Sequence, residues 1–322
     1  MPVLVVTRGL TYNYQHHPPT QPGADYVLFL HGWPSAASDW HNQINHFRKL
    51  GWGVVAPDLL GSGRTSRPSA AGKYVLKDIA QDVLDILDHE KISAVHAVGH
   101  DWGSILLSRL ATFYPERTLK LCFIAVGHRP PGSPFDLDAV NEMTRQKAGA
   151  ALFGYQYFFM RNERAHDILN EHKDSFMSLM FGKDPSSWKH HFAPRDALQR
   201  FLESDQRDEL ASYLTKVDYQ NFKENSSDEL GGVPSLGLYR ANDLNLNYEA
   251  EKDLMNEQNI LQQPTLLINC SKDEVALPIL QTISTKQFVR NLEIQEMNTS
   301  HWAYLEAPDA VNEALEQFFS SS

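Results

Sequence analysis

The chain has 322 residues, of which 42% are hydrophobic, and its formal net charge is -11 at pH 7. This composition is typical of a globular protein with a sizeable core, and the negative charge argues against a nucleic-acid surface, so we expect small molecules as partners. No apolar stretch approaches the roughly 18 residues of a membrane span, and no basic start precedes a secretory apolar run, so we expect a cytoplasmic protein.

The first third of the chain alternates short apolar runs with segments of helical period. Strands are predicted over 26–30, 53–57, 94–98 and 119–126, and helices over 42–50, 75–88 and 102–114. Strands that are separated by helices of this length predict a mostly parallel sheet covered by helices on both faces.

This alternation breaks at residues 129–132, which read Arg-Pro-Pro-Gly. From there to about Leu254 the chain is rich in aromatic residues, irregularly helical and poor in strand signals. Two strands, over 264–269 and 292–296, and a helix over 308–319 follow. We therefore predict one α/β core formed by 1–131 and 255–322, interrupted by a helical lid over 132–254. Such a lid would cover the carboxyl ends of the strands, where open parallel sheets bind ligands.

A sharp turn between a strand and a helix is predicted at residues 99–104, which read Gly-His-Asp-Trp-Gly-Ser. It presents Asp101 where many hydrolases carry a nucleophilic serine. A carboxylate needs no base to act as a nucleophile, and the N-terminus of the following helix favours its ionised form. Its electrophile is a saturated carbon with a leaving group, which leaves epoxides and alkyl halides open. Either reaction forms an ester that water must then cleave.

Cleavage of that ester needs a general base, and His301 is the candidate. It lies on a loop late in the chain, in the order of nucleophile, acid and histidine that α/β-hydrolases follow. An acid should orient its imidazole, and Asp273 is favoured over Glu274 because it is the first carboxylate after the strand.

The ester intermediate also needs donors for its developing oxyanion. The backbone N–H groups of Trp33, in the His-Gly-Trp-Pro loop after the first predicted strand, and of Trp102, directly after the nucleophile, are expected to supply them.

Epoxide opening develops an alkoxide that needs a proton donor, and tyrosine is protonated at neutral pH. The predicted lid contains two tyrosine-bearing segments, 153–159 and 237–240. Most aromatic residues of a helical lid only pack, so these segments alone do not single out a donor. For the substrate pocket we expect an apolar or aromatic wall, with these candidates: Phe153, Tyr157, Phe158, Trp188 and Phe192.

Together these motifs resemble the soluble epoxide hydrolase family of the α/β-hydrolase superfamily over nearly the whole chain, and segment 129–135 is similar to fungal members. The resemblance implies an α/β-hydrolase fold, with a mostly parallel central sheet flanked by helices and a helical lid inserted after the sixth strand. It implies that Tyr155 and Tyr239 activate the oxygen of an apolar epoxide. Water is the co-substrate, and we expect no cofactor and no metal.

Two other functions are alternatives. Haloalkane dehalogenases share the aspartate and the following tryptophan, but they usually have asparagine where Trp33 stands and lack the tyrosine pair. A metabolite-binding protein or pathway isomerase could keep the scaffold without hydrolysis. The presence of nucleophile, acid and base argues against that alternative. A homodimer is one option for the assembly.

Overall fold

The computed structural model describes residues 1–254 and 259–321. Within them, eight strands form one sheet: β1 (Val3–Val5), β2 (Thr11–His17), β3 (Tyr26–Leu30), β4 (Gly53–Pro57), β5 (Val95–His100), β6 (Thr118–Ile124), β7 (Thr265–Cys270) and β8 (Leu292–Met297). Their order across the sheet is β1-β2-β4-β3-β5-β6-β7-β8. β2 is antiparallel to both of its neighbours, and all other neighbours are parallel.

Helices cover this sheet and fill the insertion between β6 and β7. The core helices are α1 (His41–Lys49), α2 (Leu76–His89), α3 (Trp102–Phe113), α13 (Pro278–Lys286), α14 (Ala303–Glu306) and α15 (Pro308–Ser320). The insertion contains α4 (Leu137–Ala148), α5 (Tyr155–Arg161), α6 (Ala165–Glu171), α7 (Lys173–Met180), α8 (Ser187–His191), α9 (Ala197–Glu203), α10 (Lys216–Asn225), α11 (Gly237–Asp243) and α12 (Leu246–Glu251).

The predicted α/β-hydrolase fold is confirmed, and the inner strands lie within a few residues of their predicted bounds. The sequence analysis missed the antiparallel edge, β1 and β2. In β2 the buried residues are consecutive, from Tyr12 to Tyr14, so the strand lacks the alternation that marks a half-buried strand. It also missed α13, on which the isoleucines Ile279 and Ile283 are exposed.

A buried ion pair joins the insertion to the core. The guanidinium of Arg109, on α3, donates two hydrogen bonds of 3.0 and 2.9 Å to the carboxylate of Glu251, at the end of α12. Neither side chain is more than 7% exposed. The predicted return to the core at residue 255 falls on 255–258, which lie outside the described residues.

Two indole groups of the core also bond to the backbone of the insertion. Trp33 Nε1 donates to the carbonyl of Pro234 at 3.1 Å, and Trp302 Nε1 donates to the carbonyl of Met180 at 2.9 Å. Both tryptophans lie on loops at the carboxyl ends of strands. These contacts hold the insertion over the edge of the sheet where ligands are expected.

Candidate active site

Asp101 occupies the turn between β5 and α3 with φ 52° and ψ -119°, a conformation that is unfavourable for a residue with a side chain. The turn packs closely against β3, which requires glycine at position 103. A Cβ there would lie 2.0 Å from the carbonyl oxygen of Leu30. Ser104 is tolerated there because it is small and its hydroxyl donates to the carbonyl of Gly99 at 2.8 Å. The turn therefore lifts the Asp101 carboxylate above the sheet.

The two predicted oxyanion donors point at this carboxylate. The backbone N–H of Trp33 donates to Asp101 Oδ1 at 2.9 Å, and the backbone N–H of Trp102 also hydrogen-bonds the carboxylate. Glycine is needed before Trp33, because a Cβ on Gly32 would lie 2.5 Å from Asp101 Oδ1. Burial raises the pKa of Asp101 above its usual value, while His301 and the two N–H groups oppose that rise.

His301, on the loop after β8, lies between the two carboxylates. Its Nδ1 is 2.5 Å from Asp273 Oδ2, and its Nε2 is 3.8 Å from Asp101 Oδ2. The imidazole therefore donates its Nδ1–H to Asp273 and turns Nε2 toward Asp101. The 3.8 Å separation is too long for a direct hydrogen bond between these atoms.

Asp273 is held on the loop after β7 by hydrogen bonds from the backbone N–H groups of Val275 and Ala276, at 2.9 and 2.8 Å. Burial opposes its ionisation, but attraction to His301 and these donors lower the pKa of Asp273 below its usual value. The alternative acid, Glu274, instead pairs with Lys189 at 3.4 Å.

The negative charge of Asp273 affects the pKa of its neighbour, His301. Burial disfavours the imidazolium of His301, but the carboxylates of Asp273 and Asp101 outweigh this cost and raise the pKa of His301 above its usual value. The histidine is thus a stronger base than an isolated imidazole.

Two tyrosines of the insertion share the same cavity. Tyr155 is the first residue of α5, Tyr239 is in α11, and their rings make an edge contact at 6.4 Å between centroids. Phe192 stacks on Tyr155 at 4.0 Å. Burial raises the pKa of both tyrosines, and the negative charge of Asp101 adds to the shift. Both hydroxyls are therefore protonated donors at neutral pH.

The cavity has a volume of about 350 Å³, and its wall includes the predicted residues Asp101, His301, Tyr155, Tyr239, Trp33, Trp102, Phe153, Trp188 and Phe192. Tyr157 and Phe158, also predicted for this wall, lie outside it. Two residues correspond to about 200° of rotation around a helix, so Tyr157 leaves the face of Tyr155. Its hydroxyl donates to Asp138, and the ring of Phe158 packs on Phe159.

The sequence analysis missed the polar residues of the cavity wall. They include Arg109, Arg129, Gln156, Asn242, Asn245, Asn247 and Gln281. A signal existed for Arg109, because a charged side chain within the apolar stretch of α3 requires a buried partner. The asparagines lie in or between the short helices α11 and α12, where periodicity predicts no facing direction.

Within residues 1–254 and 259–321, no helix is long and apolar enough to cross a membrane. No group of three or more His, Cys, Asp or Glu side chains in the same ranges is arranged to hold a metal ion.

The sequence of the chain is similar to sequences of known proteins over most of its length. The family profile described as the alpha/beta hydrolase fold matches residues 25–308. Epoxide hydrolase srdG of Neurospora crassa is 25% identical and covers 98% of this chain and 94% of its own length. Epoxide hydrolase A of Mycobacterium tuberculosis is 25% identical, with 93% and 92% covered.

Solved structures show the same similarity in three dimensions. An epoxide hydrolase from Vigna radiata superposes with a TM-score of 0.79 at 23% identity, covering 99% of this chain and 96% of that one. Epoxide hydrolase A from Mycobacterium thermoresistibile has a TM-score of 0.76 at 25% identity, covering 98% and 97%. The similarity therefore spans both the sheet and the insertion.

Proposed function

The chain belongs to the α/β hydrolase fold family, and we propose that it is an epoxide hydrolase that converts an epoxide to a vicinal diol. Relatives that match nearly its full length are named epoxide hydrolases. The observation that carries the proposal is the placement of two protonated tyrosines, Tyr155 and Tyr239, in one cavity with the carboxylate of Asp101.

In the first step a carboxylate oxygen of Asp101 attacks an epoxide carbon, and the bond from that carbon to the epoxide oxygen breaks. Tyr155 and Tyr239 hydrogen-bond this oxygen, and one of them transfers its proton as the alkoxide forms. The product is a hydroxyalkyl ester of Asp101. Such positioned acids typically contribute about 10²–10⁴-fold to a rate.

In the second step Nε2 of His301 takes a proton from water, and the hydroxide attacks the carbonyl carbon of the ester. The N–H groups of Trp33 and Trp102 stabilise the oxyanion, because they already lie at the carboxylate oxygens of Asp101. Collapse of the tetrahedral intermediate breaks the bond from the carbonyl carbon to the diol oxygen, which takes the proton held by His301. The other proton of the water passes from the new carboxyl group of Asp101 to the tyrosinate left by the first step, and the enzyme is restored. Asp273 stabilises the imidazolium until its proton leaves.

A dehalogenase would need free N–H donors to hold the departing halide. The indole N–H of Trp33 is bonded to the carbonyl of Pro234, and the indole of Trp102 makes an edge contact with the ring of Tyr239 at 5.0 Å. The indole N–H of Trp33 is therefore engaged, while the tyrosine hydroxyls remain in the cavity wall. This arrangement favours an alkoxide over a halide as the leaving group.

The test measures diol formation from a panel of neutral aryl and alkyl epoxides, and halide release from chloroalkanes and bromoalkanes of similar size. We expect diol from the wild type and from Asp309→Ala, which removes a carboxylate on the surface helix α15. We expect none from Asp101→Ala. Halide release without diol would support the dehalogenase, and tight binding of a metabolite without any turnover would support the binding protein.

Other properties of the enzyme rest on the sequence. We place the core at 1–131 and 255–322 and the lid at 132–254, and we expect an apolar epoxide with water as the second substrate. The cytoplasmic location and the homodimer stay predictions.

A further inference from the structure

A buried glutamine contacts the hydroxyl of one of the two tyrosines in the cavity. Gln156 follows Tyr155 in α5, and its amide nitrogen Nε2 donates a hydrogen bond to the hydroxyl oxygen of Tyr155 at 3.2 Å. Gln156 is 9% exposed and belongs to the wall of the cavity. Its amide therefore touches an oxygen that can supply the proton for epoxide opening.

The ring of Tyr155 is held beside this amide by its neighbours. It stacks on Phe192 at 4.0 Å and meets Phe159 edge-on at 5.4 Å between centroids. The preceding residue, Gly154, is packed so closely that a Cβ there would lie 2.2 Å from the backbone nitrogen of Arg195. Packing of both ring and backbone thus fixes the position of the hydroxyl oxygen.

The hydrogen bond from Gln156 determines where the hydrogen of the Tyr155 hydroxyl lies. A phenol hydroxyl can accept and donate at the same time, and its hydrogen prefers the plane of the ring. The amide N–H occupies one side of the oxygen, which leaves the other side for this hydrogen. Within 1–254 and 259–321 the amide oxygen of Gln156 has no hydrogen-bond partner, so it does not capture the hydrogen. The hydroxyl thus keeps its hydrogen for a ligand.

The same contact favours the negative charge that Tyr155 acquires when it gives up its proton. Burial raises the pKa of Tyr155, and the hydrogen bond from Gln156 opposes this rise more than any other group does. A hydrogen bond becomes stronger when its acceptor carries a charge. The contact is therefore stronger in the transition state than in the resting enzyme, which is the condition for an effect on the rate.

The environment of Tyr239 is less favourable for the loss of a proton. Burial raises the pKa of Tyr239 well above its usual value, and the interactions with Tyr155 and Asp101 raise it further. For Tyr155 the largest influence after burial acts in the opposite direction. Tyr155 is thus the better proton donor of the two, whereas Tyr239 suits a hydrogen-bond donor that keeps its proton.

We propose that Gln156 positions the hydroxyl of Tyr155 for proton transfer, so that Tyr155 rather than Tyr239 protonates the epoxide oxygen. As Asp101 attacks the carbon, the bond from that carbon to the epoxide oxygen breaks and the oxygen takes the proton of Tyr155. The electron pair of the broken O–H bond stays on the Tyr155 oxygen. The amide N–H of Gln156 stabilises this tyrosinate until the carboxyl proton of Asp101 returns to it. The inference rests on the proposed epoxide hydrolase function and names a residue that assists it.

The experiment measures single turnovers of a neutral aryl epoxide, styrene oxide. Gln156→Leu removes the donor and should slow ester formation about tenfold, the size of one hydrogen bond to a charged group, with little change in KM. Ester cleavage should keep its wild-type rate, because the donor assists the first step alone. Gln156→Met, a second side chain without a donor, should behave alike. The matched control is Gln317→Leu, at an exposed glutamine of α15 that donates to Glu313, and it should leave both rates unchanged.

Two comparisons separate positioning from packing. Gln156→Glu replaces the donor with an acceptor of the same shape, which takes the hydrogen of Tyr155 and repels the tyrosinate. Ester formation should then fall as far as in Tyr155→Phe. In the Tyr155→Phe background, Gln156→Leu should have no further effect, because the hydroxyl on which Gln156 acts is gone. In the Tyr239→Phe background, the same change should still slow ester formation about tenfold.

Ester formation at the wild-type rate in Gln156→Leu and Gln156→Met, or full activity of Gln156→Glu, would overturn the inference and leave epoxide hydrolysis intact. A loss of equal size with and without the hydroxyl of Tyr155 would also overturn it, because Gln156 would then act through packing. Failure of the wild type to form diol from styrene oxide and from every other epoxide of the panel would instead overturn the proposed function, and this inference with it.

Discussion

The sheet and the lid contribute to one cavity in different ways. Asp101, Asp273 and His301 lie on the segments that follow β5, β7 and β8, so the register of neighbouring strands determines where they meet. Tyr155 and Tyr239 come from short helices that are held by aromatic packing, including an edge contact of Tyr239 with Trp33 at 5.5 Å. The chemistry on the sheet edge is thus positioned by backbone hydrogen bonds, whereas the lid donors depend on side-chain contacts.

The largest effect on the sheet side is expected for His301→Gln. Removal of the base should slow cleavage of the ester by about 10²–10⁴-fold while attack by Asp101 continues. The ester should then accumulate, and mass spectrometry of the intact protein should show the added mass of the epoxide. Turnover at the wild-type rate would mean that another group is the base. His190→Gln, on an exposed position of the lid, is the matched control and should leave turnover unchanged.

The lid side is tested by Tyr155→Phe and Tyr239→Phe, singly and together. Each change removes a hydroxyl and keeps the ring that packs against its neighbours, so folding should persist. The double variant should lose about 10²–10³-fold in the rate of ester formation, and each single variant less, because one donor remains. Rapid-quench measurement of the ester tests this. Unchanged rates would show that the lid closes the cavity without taking part in the chemistry.

Loss of the ion pair between Arg109 and Glu251 should weaken the attachment of the lid to the core. Glu251→Gln leaves the buried guanidinium of Arg109 without its counter-ion, which typically destabilises a fold by about 3–5 kcal/mol. Chemical denaturation should show this loss in the free energy of unfolding. The control is Glu249→Gln, an exposed residue of α12 that pairs with Lys252 on the surface. A loss under about 1 kcal/mol for Glu251→Gln would show that the pair does not hold the lid.

The smallest expected effect is the dependence of the rate of ester cleavage on pH. His301 must be neutral to act as a base, and its pKa is raised above the usual value, so ester cleavage should fall about tenfold per pH unit once the pH drops below that raised pKa. Asp273→Asn removes the main electrostatic attraction for the imidazolium of His301, so the pKa of His301 should fall. The decline of the rate at low pH should then begin at a lower pH. The tyrosines, with raised pKa values, should add no alkaline limb below about pH 10. Pre-steady-state rates across pH 5 to 10 check both limbs.

The contrast between sheet and lid also explains how far the sequence alone could predict the molecule. The inner strands are short apolar runs bounded by turn residues, so the turn that carries Asp101 and the loops that follow β7 and β8 could be located to within a few residues. In α5 the adjacent aromatic residues Tyr157, Phe158 and Phe159 carry no periodicity that separates wall from packing. The facing direction of a short helix is set by tertiary contacts, and these are not local in sequence.

Long-range pairing also determines part of the polar wall of the cavity. Arg109 and Glu251 are separated by 142 positions, so their pairing could not be predicted from local sequence. The break at residues 129–132 was recognised as a boundary, but the hydrogen bond from the N–H of Gly132 to Glu251 follows from the fold.

A single turnover in ¹⁸O water tests the central claim, that Asp101 forms an ester with the substrate, most directly. With enzyme in excess over epoxide, the oxygen added to the first diol should be unlabelled, because it comes from the carboxylate of Asp101, and the label should appear in the peptide that contains Asp101. Immediate appearance of ¹⁸O in the diol, with none in that peptide, would contradict the covalent mechanism.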